Sequence, residues 1–408
     1  MKMKAARPRT SAKMKATKPA FAISMGMIIA LGIALARRTE HAATVPKPAA
    51  SVTKPALSAT AAGRHNRPAT TARAAVTYTP KDEPGTHLRR NKLLVAGTEV
   101  EYLWQLPHET EGGTTAGTPS PPRGLLFLAH GCSHSMTDWW ARTESTCPEC
   151  IGLPEEVAIV DTARGMGLAV IAISSSNRLS KCWREEDGPI VARVLLAVRE
   201  DVGAGSAAAD RRVSLFAFGA SSGGRFVSMT LPRAVMEEEG TGGSSSSRLD
   251  GVISEIMGFA YRPDYATPAA FLTMERDSRT REIVESEVRA QNEDGVAPAV
   301  QLDLPRREIT SAFFAERVPG SYDRDKSADM ATALAEGGFL AEDGTLIEDP
   351  RESRWRDVLR PFAASDDGLV ADKSPLSEVM NVAYAKHEMA RDEVKTALEF
   401  LFDSTLSS

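Results

Sequence analysis

The sequence predicts an α/β fold, in which helices cover both faces of a mainly parallel central sheet and a helical block follows at the C-terminal end. Short, continuously apolar runs alternate with helix-like segments between residues 92 and 304. Such runs are typical of parallel strands that are buried on both faces. After Leu304 the pattern becomes helical, which predicts a separate block at residues 305–408 within a domain spanning residues 86–408.

The predicted elements follow in order along this domain. Two short strands about a glycine turn are expected first, and then single strands, at 92–105, 124–129, 167–174, 213–218, 249–257, 269–274 and 297–304. Helices are expected between and after them, at 190–202, 279–292, 328–336, 355–362, 376–387 and 391–402. A hairpin is expected at residues 338–346.

The charge is unevenly divided between the two ends of the chain. Residues 1–81 contain fifteen Lys and Arg against one acid, Glu40, so their net charge is +14. The whole chain carries -5, which leaves -19 for residues 82–408. An acidic globular part argues against a nucleic-acid partner.

An uncharged apolar run at residues 20–36 lies behind a basic N-terminus, residues 1–19. Its length is that of a short membrane span, and the basic flank would keep the N-terminus cytoplasmic. We therefore expect a signal-anchor, with residues 86–408 on the luminal or extracellular side. A cleaved signal peptide or an organelle transit peptide is the alternative. Residues 37–85, rich in Ala, Pro and Thr, are expected to form a disordered stalk.

A candidate nucleophile follows the strand at 213–218. Residues 219–223 fit the pattern Gly-x-Ser-x-Gly, with Ser221 at its centre, and a helix-like pattern begins at Phe226. Strand, tight turn and helix are the context that this motif needs in order to expose the serine hydroxyl. This pentapeptide is common by chance. The interpretation of Ser221 as a nucleophile therefore also needs a base and an acid in the right chain order.

A base and an acid can both be found after Ser221. His387 is the only histidine beyond that serine, and its helical pattern places it on the apolar face of Leu376 and Met380. Asp277 comes just after the strand at 269–274 and is the preferred acid, although it could equally be the N-cap of the next helix. Three further aspartates lie nearer to His387 and are rivals: Asp366, Asp367 and Asp372.

An oxyanion would need backbone donors beside the serine. The N–H of Ser222, directly after the nucleophile, is one candidate. The N–H of Cys132, in the His130-Gly131-Cys132 turn after a buried strand, is the other.

Together these pieces resemble the α/β-hydrolase superfamily over about residues 90–402. The motifs His-Gly-Cys-Ser-His at 130–134, Cys-Pro-Glu-Cys at 147–150 and His-Glu-Met at 387–389 are also similar to a plant and algal branch. The resemblance implies a serine hydrolase acting on a small-molecule ester or acyl substrate, without metal or organic cofactor. Two departures stand out. The lipase-type His-Gly-Gly-Gly is absent, and Arg306-Arg307-Glu308 follows the last strand where the superfamily's histidine usually lies.

Two other functions stay open on the same fold. The domain could be a non-catalytic binding module, or an acyltransferase whose acceptor is not water. The four cysteines, Cys132, Cys147, Cys150 and Cys182, are expected to form disulfides with undetermined pairing, ahead of free thiols or a zinc site. Three tryptophans near them are expected in the core rather than in an acyl pocket: Trp139, Trp140 and Trp183.

Overall fold

The computed structural model describes residues 88–108, 122–204, 213–239, 248–363, 369–371 and 373–406. The predicted basic N-terminus, signal-anchor and stalk lie outside these residues, so they stay predictions. Among the described helices, none combines the length and the apolar character needed to cross a bilayer.

An eight-stranded sheet forms the centre of the domain. Its strands, in chain order, are β1 Leu88–Val95, β2 Thr98–Gln105, β3 Gly124–Ala129, β4 Leu168–Ile173, β5 Ser214–Ala220, β6 Gly251–Glu255, β7 Ala269–Met274 and β8 Ala299–Leu304. Their order in space is β1-β2-β4-β3-β5-β6-β7-β8. The pairs β1–β2 and β2–β4 are antiparallel, and every later pair is parallel. The carboxyl ends of β3 to β8 therefore meet at one edge of the sheet, where loops can converge.

Ten α-helices accompany the strands in the described residues. They are α1 Pro154–Gly165, α2 Asp187–Ala204, α3 Ser222–Arg225, α4 Leu231–Glu239, α5 Ser278–Asp294, α6 Phe313–Arg317, α7 Arg324–Glu336, α8 Trp355–Leu359, α9 Pro375–Tyr384 and α10 Val394–Leu406. A π-helical segment, Phe226–Thr230, joins α3 to α4. Helices α1 and α6 have no counterpart among the predicted elements.

Alternating side chains of β3 show how the core is built. Leu126 and Leu128 pack in a cluster with residues of α1 and α10, whereas Leu125 and Phe127 pack on the opposite face with residues of α2, α4 and α5. Every residue of β3 is buried, because helices cover both faces of the sheet. The predicted fold is confirmed, and it is the α/β-hydrolase fold.

The helical block after β8 has a third core of its own. It is made by apolar side chains of α6, α7, α8 and α9, with Trp355 fully buried among them. Leu340 and Leu346 form the isolated bridge of the predicted hairpin. Helix α10 does not belong to this core, because Leu398 and Leu401 pack against the sheet.

One predicted helix ends three residues too late. The pattern predicts a helix through His387, but α9 ends at Tyr384 and Ala385 takes a left-handed conformation with φ 57°. The prediction that His387 lies on the buried face of a helix is therefore wrong. Its side chain is 48% exposed.

Candidate active site

Ser221 lies at the sharp turn between β5 and α3. Its backbone angles, φ 53° and ψ −115°, are strained for a residue with a side chain. The Ser221 N–H donates a hydrogen bond of 2.9 Å to the carbonyl of Glu255, the last residue of the neighbouring strand β6. The turn is therefore held by the sheet while the hydroxyl is left at its edge.

Two glycines permit this turn because no Cβ fits at either position. A Cβ on Gly219 would lie 2.4 Å from the carbonyl of Gly223. A Cβ on Gly223 would lie 2.2 Å from the carbonyl oxygen of Ala129, at the end of β3. Any side chain would push the elbow away from the neighbouring strand. The close approach of strand and helix that the motif predicts is thus present.

His387 reaches the edge of the sheet because the end of α9 pairs with backbone groups after β7 and β8. The N–H of Arg276 donates to the carbonyl of Ala385, and the N–H of Arg307 donates to that of Ala383, each at 2.9 Å. The turn after β8 lacks a histidine of its own, but it anchors the helix that leads to one. His387 has φ 47°, so this loop contains two left-handed residues with side chains, Ala385 and His387.

The side chains of Ser221, His387 and Asp277 form a chain of two hydrogen bonds. Ser221 Oγ lies 3.1 Å from His387 Nε2, and His387 Nδ1 lies 3.0 Å from Asp277 Oδ2. Since a carboxylate can only accept, Nδ1 carries the proton of the neutral ring, and Nε2 is left to accept from the serine hydroxyl. The arrangement can move a proton from the serine to the imidazole.

Asp277 has two roles at once. It is the N-cap of α5, where its Oδ1 accepts from the Thr280 N–H at 3.3 Å, and its Oδ2 also accepts from the Thr280 hydroxyl at 2.8 Å. Burial alone would raise the pKa of this carboxyl. The hydrogen bonds from His387 and Thr280 outweigh that effect, and the pKa lies below its usual range. Asp277 is therefore ionised at neutral pH.

The rival acids Asp366, Asp367 and Asp372 lie outside the described residues. They stay alternatives that only experiment can separate from Asp277.

The turn after β3 lies beside the serine. A Cβ placed on Gly131 would be 3.9 Å from Ser221 Cβ, so Cys132 follows a close neighbour of Ser221. The Cys132 sulfur is bonded to Cys182, so Cys132 carries no free thiol beside Ser221. Ser222 is the first residue of α3, where a backbone N–H has no partner within the helix. Both predicted oxyanion donors thus belong to segments that border Ser221.

His130 shapes the start of this turn. Its Nδ1 lies 2.7 Å from the Gly131 carbonyl, and its Nε2 accepts from the Ser175 N–H at 3.1 Å. Burial lowers the pKa of His130 to about 4, so the ring is neutral and can hold both bonds. Its role is to position the turn.

His134, four residues after His130, is charged, whereas His130 is neutral. Burial alone would lower its pKa, but its hydrogen bond to Asp138 and the nearby carboxyl of Glu156 raise the pKa to about 9. The sequence analysis did not predict this ion pair. The spacing of four residues between His134 and Asp138 could have indicated it.

Arg351 is a second residue that the sequence does not reveal. Its guanidinium donates to the carbonyls of Lys386 and His387, at 3.0 and 2.9 Å, and to the carboxylate of Glu388 at 2.9 Å. These bonds hold the loop that carries the imidazole. Nothing in the local sequence around Arg351 indicates a partner 36 residues away.

Both cysteine pairs form disulfides, Cys132–Cys182 and Cys147–Cys150, which confirms the expected chemistry and settles the pairing. The three tryptophans are buried, as the core interpretation predicted. Within the described residues, no group of three or more His, Cys, Asp or Glu side chains is arranged to hold a metal ion.

The chain matches no protein-family model, and no curated protein matches it. Among solved structures, an arylesterase is similar over 56% of this chain and 79% of its own, with 13% sequence identity and a TM-score of 0.34. An α/β serine hydrolase without a lid from Xanthomonas campestris matches over 53% and 84%, with 16% identity and a TM-score of 0.32. Fungal esterases from Rhizomucor miehei match over 54% and 74%, with 15% identity and a TM-score of 0.34. A function must therefore be argued from this chain's own residues.

Proposed function

We propose that this protein is a serine hydrolase that cleaves a carboxylic ester, or a related acyl bond, of a small-molecule substrate. The observation that carries the proposal is the hydrogen-bonded chain from Ser221 Oγ through His387 to Asp277, with distances of 3.1 and 3.0 Å. A serine held in a strained turn, an imidazole in hydrogen-bond reach and a carboxylate behind it are the parts of nucleophilic acyl transfer.

In this mechanism Ser221 Oγ attacks the substrate carbonyl while His387 Nε2 takes its proton. Asp277 holds the imidazole with Nδ1 protonated and stabilises the positive charge that forms on the ring. The backbone N–H groups of Cys132 and Ser222 would donate to the oxyanion of the tetrahedral intermediate. Each such donor contributes about 10²–10³ to turnover in enzymes of this kind.

The tetrahedral intermediate then collapses, and the acyl group is released in a second half-reaction with water. His387 returns its proton to the leaving alcohol, and an acyl-enzyme is left on Ser221 Oγ. The neutral imidazole then activates water, which attacks the ester and gives a carboxylic acid and free serine. The exposure of the His387 side chain, 48%, supports this step because water can reach the ring directly.

Labelling with a fluorophosphonate probe tests the proposal. The full chain in detergent, Ser221→Ala and His387→Ala are incubated with the probe and mapped by peptide mass spectrometry, and hydrolysis of 4-nitrophenyl esters is followed in parallel. We expect label on Ser221 in the wild type, loss of it in both variants, and a parallel loss of hydrolysis. Label lost only in Ser221→Ala would leave the nucleophile but remove His387 as the base.

The same experiment distinguishes the other functions on this fold. No label on folded wild-type protein would refute the hydrolase and favour a binding module. An acyltransferase would be labelled but would transfer its acyl group to an added alcohol in preference to water, which product analysis detects.

We also propose that residues 20–36 anchor the protein in a membrane, with residues 86–408 on the luminal or extracellular side. Two disulfides in the described domain support an oxidising compartment. Alkaline extraction of membranes, with protease protection of the domain, tests this. The motifs at residues 130–134 and 147–150 support membership of the plant and algal branch as a further proposal.

A further inference from the structure

Two loops at the active edge of the sheet are bound to each other. The first, residues 130–135 after β3, carries Cys132 and is called the oxyanion loop below. The second, residues 174–186 between β4 and α2, is called the β4–α2 loop. The N–H of Ser133 donates to the carbonyl of Ser180 at 3.0 Å, which pairs the two loops directly.

Hydrogen bonds also fasten the start of the oxyanion loop. Trp183 Nε1 donates to the His130 carbonyl at 2.9 Å, and the Ser175 N–H donates to His130 Nε2 at 3.1 Å. These two bonds end on His130, two residues before the proposed donor, and the bond to the Ser180 carbonyl starts from Ser133, the residue after it. The Cys132–Cys182 disulfide is the link between the loops that ends on Cys132 itself.

The backbone at this point needs such a link. Ser133, directly after Cys132, has φ 70°, a left-handed conformation that residues with a side chain rarely adopt. The turn that contains Cys132 is therefore strained, and such a conformation persists where the surrounding structure holds it.

The two disulfides differ in their access to solvent. Cys132 and Cys182 are both partly exposed, and Leu179 in the same β4–α2 loop is 96% exposed. Cys147 and Cys150, in contrast, are 0% and 3% exposed and lie in the core. Thiol–disulfide exchange requires a thiolate to reach a sulfur atom, so the Cys132–Cys182 disulfide is the one open to a reductant.

We propose that the Cys132–Cys182 disulfide is a redox-controlled restraint on the oxyanion donor: a dithiol that opens it lowers turnover, and reoxidation restores it. The inference rests on the proposed serine hydrolase. One thiolate of the dithiol attacks a sulfur of the disulfide and forms a mixed disulfide, and the other cysteine leaves as a thiolate. The second thiol of the reagent then closes its own disulfide, so two electrons pass to the protein and both cysteines end as thiols.

The test uses the full chain, dithiothreitol as the reductant and a 4-nitrophenyl ester as the substrate. Thiols that appear are alkylated with iodoacetamide and mapped by mass spectrometry. We expect Cys132 and Cys182 to be alkylated before Cys147 and Cys150. Because the donor is displaced and not deleted, kcat should fall by about tenfold or more, with KM within about twofold. Removal of dithiothreitol followed by oxidised glutathione, which accepts the two electrons, should restore kcat.

Two double variants serve as controls. Cys132→Ser/Cys182→Ser should have the low kcat of the reduced wild type and no response to dithiothreitol. Cys147→Ser/Cys150→Ser should keep the full response. Thermal unfolding is recorded for the oxidised and reduced wild type and for both double variants. A general loss of folding would be seen as a lower melting temperature together with weaker labelling of Ser221.

Two outcomes would overturn the inference. One is an unchanged kcat after complete opening of Cys132–Cys182, with Ser221 still labelled by the fluorophosphonate. The other is an equal loss of kcat on reduction of the Cys132→Ser/Cys182→Ser variant. Absence of label on the oxidised wild type would instead refute the hydrolase itself, and the inference with it.

Discussion

Replacing Asp277 by asparagine separates the two roles of this residue. As the N-cap of α5 it accepts from the Thr280 N–H, and as a partner of His387 it accepts from the ring. Asparagine is as good an N-cap as aspartate, so the first role survives the change. The second does not, because an amide nitrogen at the Oδ2 position would donate to Nδ1. The ring would then carry its proton on Nε2, where it cannot accept from Ser221.

Asp277→Asn should cost little stability but most of the turnover. The free energy of unfolding should fall only by what a negative charge contributes at a helix N-terminus, about 0.3–1 kcal/mol. This corresponds to at most a few degrees in melting temperature. Turnover should fall about 10⁴-fold, as it does for this change in the Ser-His-Asp triad, which corresponds to about 5 kcal/mol in the activation free energy.

The assay is kcat for a 4-nitrophenyl ester together with a thermal unfolding curve for each protein. The matched controls are Asp366→Asn, Asp367→Asn and Asp372→Asn, which we expect to stay within about twofold of the wild type. A kcat for Asp277→Asn within tenfold of the wild type would refute the reasoning and leave Asp277 as a helix cap alone. A large loss in one of the controls would move the acid to that residue.

Three further perturbations test the supports of the site. Gly223→Ala forces a Cβ to within 2.2 Å of a backbone oxygen, so we expect about 3 kcal/mol of destabilisation by urea unfolding, whereas Gly165→Ala meets no atom within 4 Å and should cost almost none. Arg351→Met removes the bonds to the His387 loop and should lower kcat by up to about 30-fold with little change in KM, measured by steady-state kinetics. The folded-state pKa of His134 lies above its unfolded value of 6.5, so its stabilisation is complete below pH 6.5 and is lost as pH rises through about 9. Urea unfolding of wild type and His134→Asn should therefore converge over this range, from a difference of at most about 3 kcal/mol.

Local sequence was sufficient to predict the strained turn that carries Ser221. The strand at 213–218, the glycines of the turn and the helix that follows are contiguous, and the steric reason for the glycines operates within a few residues. The chain order of serine, acid and histidine then left His387 as a single candidate. Asp277 was found in the same way, since it comes just after a predicted strand and just before a predicted helix.

The conformation of the His387 loop could not be predicted, because its causes lie elsewhere in the chain. The apolar periodicity continues to His387, but backbone donors at Arg276 and Arg307 take the carbonyls of Ala385 and Ala383. Arg351 then fixes the loop from the helical block. Local periodicity contains no information about these contacts. It therefore predicts a helix that continues to His387, whereas the long-range contacts end α9 at Tyr384.

Glu255 shows how closely the separate segments depend on one another. Its carbonyl accepts from the Ser221 N–H, and its carboxyl Oε1 accepts from the Ala390 N–H, three residues after His387, at 2.9 Å each. The side chain is fully buried, and burial raises the pKa of its carboxyl well above the usual range, which favours the neutral form. A neutral carboxyl is far less costly to bury than a carboxylate, which allows a polar group to stand inside the core. One residue at the end of β6 thus joins the strained serine turn to the loop that carries His387.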